Sequence, residues 1–544
     1  MAASLLIRNA RAFTVDPNHP RAEAVAIVDD RISWVGDDVD ASEHIGPDTD
    51  VIDAAGATLL PGFIDPHNHV RLGSNPLEVG LAGARTLAEV QGRIRDHADA
   101  HPDHAWIEGG GFNYSVMPGG RMPSSEDLEG FTDGRPAFVL TYDAHNVWLN
   151  RKAMDVFGIT RDTGRLPWGR VRMDPADGEP TGIVGDFAVM GISRAGQAAL
   201  EAIVPGFGRS LRFERTLESL DMATRFGITT IVEPQNSPDD MAIFERARDD
   251  GRLRSRLVAA MFHPLGTTDA ERAEFETMRA RHDDDRLRVG PIKLYIDDVI
   301  EPWTAAMLEP YANRPGERGE PFWEPDEFAD LVIELERRGW SCHVHGTGDR
   351  GLRVALDGFE AARHANGATR ARHGIVHAEC LHADDVPRFA ALGVTPIMQP
   401  RHCAPEIVAD WRANVGPTRE RYAWAFRSLR DAGATLAFSS DWNVAEMDPM
   451  VGIYTAITRA NLDGSDAWVT EETVDVETAI RAYTMGGAFV AFAEDRRGSI
   501  TVGKQADLVL LSEDLFAAAE LDPRRVLDVR VTCTIVDGEV VHRT

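Results

Sequence analysis

Lysine is scarce in this chain. Of 57 basic residues only three are lysines, Lys152, Lys293 and Lys504. Arginine supplies generic positive charge everywhere else, so a lysine here is a candidate for work that arginine cannot do, such as deprotonation or amine chemistry. Cysteine is nearly as rare: Cys342, Cys380, Cys403 and Cys533 show no C-x-x-C pairing, which argues against a disulfide framework and fits reduced thiols in a cytoplasm. No apolar run approaches the roughly 18 residues of a membrane span, and no basic segment leads into a signal-like apolar stretch. Excess positive charge is missing too. A formal charge of −30 over 544 residues disfavours nucleic acid and anionic membrane as partners. The expectation is a cytoplasmic globular protein acting on a small molecule, with homo-oligomerisation left open.

What is present begins with PGFIDPHNHV, residues 61–70. A short apolar strand ends in His67-Asn68-His69, and residues at i and i+2 of a strand share a side. Two imidazoles at that spacing can converge on one metal ion, although two polar loop histidines after a strand would look the same. The ends of the chain read as β-structure. Residues 1–58 alternate in strand fashion about the Asp29-Asp30 turn, and residues 486–544 close with strands joined at Asp537-Gly538, a hairpin signal. Neither end alone has enough strands to bury a face, so the two are expected to form one composite β-sandwich.

The middle, 59–485, alternates strands with helices. Strand candidates after the first are 137–143, 227–233, 290–297, 340–346, 373–379, 393–399 and 434–440. Eight such strands predict a (β/α)8 barrel of the TIM type, with insertions at about 71–136 and 144–226 building a lid or pocket wall. In this fold the active site lies at the carboxyl ends of the strands. Those ends carry Lys293, His345, His377 and Asp441 besides His67 and His69. A free ammonium has no lone pair for a metal. A lysine that has reacted with CO2 is an anionic carbamate able to bridge two cations, and Lys293 is the candidate.

The ordered set PGFIDPHNH, KLYID with TAAMLEPY, HVHGTGDRGLRVALD, RHGIVHAECL, MQPRHC and FSSDWNVAEMDPMVGIYTAITR resembles the metal-dependent amidohydrolase superfamily. More narrowly it is similar to amidohydrolase family 3, the branch of N-substituted formamide deformylase-like proteins, and the likeness runs over essentially the whole chain. The resemblance implies that His67 and His69 bind one divalent ion and His345 and His377 a second. Carboxylated Lys293 would bridge the two, with Asp441 on the first and zinc the first choice of metal. It also implies a bridging hydroxide as nucleophile, with Asp441 moving the proton from water to the leaving amine. His343 shares the parity of His345, and His373 stands near His377. The histidine before Gly348-Asp349 and the one at the strand's end match the family's positions. Asp349 itself is a site residue or a helix cap. Two departures, Asp297-Asp298 where the family has Asp-Gly and Asn443 where it has proline, leave the ligands intact and bear on pocket shape.

Aromatic residues in the flanking loops suit an apolar or aryl substituent. His145, Trp148, Phe112, Trp303 and Trp442 are candidate substrate contacts, and Arg401 and His402 candidates for orienting a carbonyl; packing of the insertions is the alternative for each aromatic. The function expected is hydrolysis of an amide-type C–N bond, in an N-substituted formamide or N-acyl compound. Ring opening of a cyclic amide or imide, or deamination, on the same metal site is the alternative. A non-catalytic binding barrel would have no need of all six ligands.

Overall fold

The computed structural model describes residues 2–544. At its centre eight parallel strands form one sheet: Phe63–Asp65, Ile228–Asn236, Arg256–Phe262, Leu287–Tyr295, Cys342–Gly346, Gly374–His377, Thr395–Met398 and Ala437–Phe438. Each pairs with the next in parallel register, for instance Lys293 opposite His343 and Gly346 opposite His377. Helices such as Pro325–Arg337 and Asp349–Asn366 bury Phe328, Leu331, Leu335, Leu352 and Phe359 around it. This is the (β/α)8 barrel expected from strand–helix alternation.

Closure between the last and first strands is made just beyond their ends by the Asp65 side chain and by backbone hydrogen bonds. Ser440 donates from its backbone N–H to Asp65 Oδ1 at 3.1 Å and from Oγ to Asp65 Oδ2 at 2.6 Å. The Asp441 N–H donates to the His67 carbonyl at 2.9 Å, and the His69 N–H to the Trp442 carbonyl at 2.6 Å. The same six residues therefore seal the barrel and fix the H-x-H segment against Asp441. Burial pushes the Asp65 carboxyl up to about 6 against the hydrogen bonds from Ser440 and Asn68 that pull it down.

Two strand assignments change. Ala137–Thr141 is not a barrel strand. It sits inside a seven-stranded sheet with Glu78–Gly80, Ile107–Phe112, Val147–Leu149, Pro180–Gly185, Gly169–Met173 and Arg165–Leu166. The place left in the barrel is filled by Arg256–Phe262. A short apolar run between turns is compatible with any buried strand, and its pattern carries no information about which sheet receives it. Instead of two insertions at about 71–136 and 144–226 there is one, between the first two barrel strands, with a sheet and apolar cores of its own.

The chain's two ends meet in a six-stranded sheet, where Leu508–Leu511 lies antiparallel to Thr58–Pro61 with Leu510 opposite Leu59. A four-stranded sheet of N-terminal strands packs on it through one apolar core, including Ile7, Val25, Ile27, Leu59, Leu508 and Ile535. Thr58–Pro61 belongs to this terminal sheet, and one residue later the chain enters the barrel. That residue must be Gly62: a Cβ there would stand 2.3 Å from Thr229. At the other boundary, helix Gly487–Val490 packs on the barrel, and a Cβ added to Gly487 would already meet Ile64 at 2.7 Å.

Candidate metal centre

All six residues singled out at the strand ends are buried at the barrel's carboxyl mouth. His67 Nε2 and His69 Nε2 each lie 3.2 Å from Asp441 Oδ1. The ligand-type atoms of these three residues all stand within 4.8 Å of one another. The His345 and His377 rings are 4.5 Å apart, and the His67 ring is 5.4 Å from that of His377. Backbone strain marks the same place. Asp441 (φ 57°) and His377 (φ 75°) both sit in the left-handed region, as does Ala378 after it, a conformation held only where the surroundings enforce it.

Supporting hydrogen bonds orient the rings. His377 Nδ1 is 2.8 Å from Gln399 Oε1, and Gln399 Nε2 donates to Ser439 Oγ at 2.8 Å. This leaves His377 Nε2 for the centre. His345 Nε2 faces the Asp298 carbonyl at 3.2 Å and the ring stacks on Tyr295 at 4.5 Å, which leaves Nδ1. Burial, reinforced by neighbouring positive charge, lowers the His67 pKa to about 3 and those of His345 and His377 well below the ordinary value. Neutral imidazole is the ligating form. Burial alone would raise the Asp441 carboxyl, yet His67, His69 and His377 hold it well below the usual carboxylate range.

Lys293 is the outlier. Its ammonium is fully buried, 4.6 Å from the Tyr295 ring centre, and has no hydrogen-bond partner among the described residues. The two aspartates that follow it are engaged elsewhere. Asp297 accepts the backbone N–H groups of Ala306, Thr347 and Gly348 at 3.0, 3.0 and 2.9 Å, and Asp298 pairs with His145. Burial draws the Lys293 pKa down to about 7, so the neutral, CO2-reactive amine is accessible near neutrality. Asp441 Oδ1 and the Nδ1 atoms of His67 and His69 are likewise without hydrogen-bond donors or acceptors. A buried amine, a buried carboxylate and two imidazole nitrogens left unsatisfied together fit a divalent-cation centre with nitrogen and oxygen ligands.

The remaining candidates divide. His402 lies on the site, its Nε2 3.7 Å from Asp441 Oδ2 and its ring parallel to that of His377. His145 is also there: burial would lower its pKa, but Asp298 lifts it to about 9, giving a fixed imidazolium beside His345. Trp303 and Trp442 border two larger cavities, of about 770 and 350 Å³. His145, His345, His377 and His402 line, with Asp441, a small one of about 40 Å³, which shares Tyr142 and Val444 with the 350 Å³ cavity. His67 and His69 do not line the small cavity but meet Asp441, which does, at 3.2 Å. Arg401 pairs with Glu446 at 2.9 Å through Nε and with Glu406 at 2.6 Å through Nη2, and its Nη1 is buried without a partner among the described residues. Phe112 and Trp148 pack against each other at 5.3 Å inside the insertion, away from the site cavity. His343 is buried with its pKa lowered to about 3, and His373 stacks on Phe359, on the helix side of the barrel. Asp349 begins a helix and accepts the Leu308 N–H at 2.7 Å.

Three carboxylates at this mouth escaped the sequence reading as site residues: Asp298, Glu301 and Glu379. Glu379 groups with His377 and His402 as a second set of close ligand-type atoms. It stands two residues after His377, the spacing that drew attention to His69 after His67. Burial raises Glu379 well above the ordinary value and Glu301, bonded to the Tyr142 hydroxyl at 2.8 Å, to about 7.

Comparison with known proteins matches residues 50–542 to the amidohydrolase family model. The chain belongs to the amidohydrolase family. Among its relatives, the N-substituted formamide deformylase of Arthrobacter pascens is 26% identical over 98% of this chain and 97% of its own length. The Protein LONG AFTER FAR-RED 3 of Arabidopsis thaliana is 27% identical over 100% and 92%. A metal-dependent hydrolase from Pyrococcus horikoshii, 20% identical, superposes with a TM-score of 0.70 over 99% of this amidohydrolase and 100% of that chain. This last likeness speaks to fold alone.

Proposed function

We propose that this amidohydrolase cleaves an amide-type C–N bond of a small molecule, an N-substituted formamide or N-acyl compound, at a centre of two divalent ions. His67, His69 and Asp441 would hold one ion and His345 and His377 the other, with N6-carboxylated Lys293 shared between them. Zinc is the first choice for so imidazole-rich a set. Bound there, divalent ions lower the pKa of water from 15.7 to about 7 and polarise a carbonyl.

The chain's own residues supply the rest. Asp441 is held ionised by its histidines, so it can take a proton from water and deliver it to the departing amine. Its Oδ1 faces His67 and His69, whereas Oδ2 lies 3.7 Å or more from His402 and His377 and is the oxygen for proton transfer. The His145 imidazolium, fixed by Asp298, is placed to attract the carbonyl oxygen as negative charge develops on it. The observation that carries the reading is the buried Lys293 amine without a partner among neutral imidazoles and a carboxylate.

The test is a panel of N-formyl, N-acyl and cyclic amides given to purified protein, with each product identified. Release of formate or another carboxylate together with a free amine supports the proposal. Ammonia as the nitrogen product, or ring opening without release of a second molecule, moves the assignment to a deaminase or a cyclic amidase.

A further inference from the structure

One buried donor at the barrel mouth is used neither by the fold nor by the proposed metal ligands. Trp411, Trp424 and Trp468 pack together, the Trp411 ring 5.1 Å from that of Trp424 and 5.9 Å from that of Trp468. Two of these three indole N–H groups are satisfied. Trp411 Nε1 donates to Glu379 Oε2 at 3.1 Å, and Trp468 Nε1 to the Cys403 carbonyl at 2.5 Å. Trp424 is just as buried, yet its Nε1 is shielded from solvent and has no partner among the described residues. A buried indole N–H usually finds an acceptor.

The backbone fixes where this ring sits. Trp424 is in the left-handed region (φ 43°), an outlier for a bulky residue. Its backbone N–H donates to the Glu379 carbonyl at 2.8 Å, and the buried Arg459 donates to the carbonyls of Trp424 and Ala423, each at 3.1 Å. The segment is thereby tied to the chain just beyond His377, and Trp424 lines the small cavity together with His145, Glu379 and Asp441.

The chemistry of indole narrows the role. It donates one hydrogen bond and accepts none, so it offers a metal no lone pair and takes no proton. The cavity of about 40 Å³ amounts to roughly three or four water-sized positions, so a group bound there lies close to most of its walls. The acceptor that an amide substrate brings is its carbonyl oxygen, which has two lone pairs. One of them is assigned above to His145, whose Nδ1 is held by Asp298. The second is open.

We infer that Trp424 contacts the substrate, donating its indole N–H to the oxygen of the scissile carbonyl beside His145 as negative charge develops there. The inference rests on the proposed function and adds to it a second donor, contributed by the loop before helix Phe426–Asp431.

The test replaces Trp424 with benzothienylalanine, an isostere with sulfur in place of the N–H, and makes Trp424→Phe in parallel. On whichever compound of the amide panel the wild type turns over, both proteins should keep the wild-type metal content and a KM within about threefold, while kcat falls about 10²-fold. A fall in Trp424→Phe that the isostere does not share is a packing effect and overturns the inference, as does a rise in KM with kcat unchanged in the isostere. Should the wild type turn over no compound of the panel, the proposed function fails, and the donor is read instead by calorimetric titration of metal-loaded protein with acetate. Acetate binding weakened at least about fivefold in the isostere supports the Trp424 hydrogen bond; equal affinity overturns it.

Discussion

Two of the buried basic side chains of this amidohydrolase, Arg256 and Lys293, are treated in opposite ways. At the junction of barrel and terminal sheets, Arg256 is 2% exposed and fully matched. It donates to Asp507 from Nε at 2.9 Å and from Nη2 at 3.0 Å, and it also bonds Asp285 and Asp537. At the barrel mouth, Lys293 is equally buried and matched by no hydrogen bond among the described residues. An unpaired buried charge costs several kcal/mol, so a structural position pairs it. A position that leaves it unpaired is a candidate for chemistry. The junction is complete as folded, whereas the mouth has unsatisfied amine, carboxylate and imidazole atoms that a cation centre would complete.

The largest expected effect at the mouth is on rate. Asp441→Asn keeps the shape but removes the base, and turnover should fall by at least about 10²- to 10⁴-fold in steady-state assays, with the fold intact by circular dichroism. An Asp441→Asn enzyme with near-normal turnover would remove the proton-transfer role. At the junction the effect is on stability. Arg256→Leu leaves the buried Asp507 carboxylate without its cation, while Asp285 keeps Arg496 and Arg497 and Asp537 keeps Arg286; it should cost roughly 3–5 kcal/mol in denaturant titration, with metal content per folded molecule unchanged. Loss of metal there would blur the distinction between the regions.

Acid sharpens the same contrast. Burial alone would raise the Asp507 carboxyl, but Arg256 holds it below its ordinary value. A lowered folded-state pKa gives stabilisation that is complete above the unfolded value of about 3.9 and is lost as pH falls through the folded one. Wild-type protein should therefore lose stability below roughly pH 4 more steeply than Arg256→Leu; parallel curves would show that the pair contributes little. The smallest effect expected is that of Asp349→Ala, which strands the Leu308 N–H at a cost of roughly 1–3 kcal/mol. Turnover per folded molecule should be unchanged, and a selective rate loss would return Asp349 to the site.

Much of the mouth was legible because the barrel puts strand ends together whatever lies between them. His67, His69, Lys293, His345, His377 and Asp441 each lie within or just after a recognisable apolar strand. The insertion was not legible in this way. Ala137–Thr141 and Arg256–Phe262 are both short apolar strands, and only long-range pairing assigns one to the insertion sheet and the other to the barrel. Phe112 and Trp148 illustrate the same limit, because an aromatic residue in a loop-rich segment packs wherever the tertiary fold leaves an apolar gap. Asp298 and Glu301 became visible only through partners more than a hundred residues away, His145 and Tyr142. The pairing of Arg401 with Glu446 was not legible because Glu446 lies in another loop.

The central claim is that Lys293 serves as a carbamate rather than as a cation, and the Lys293→Arg variant tests it most directly. Arginine keeps the positive charge but cannot supply the neutral amine that reacts with CO2. Metal content by elemental analysis, measured beside turnover on the same preparation, is expected to fall with activity to the level of Lys293→Ala. Short carboxylic acids added with metal should restore part of both in the alanine variant. A Lys293→Arg protein that holds two metal ions and turns over at near wild-type rate would contradict the account.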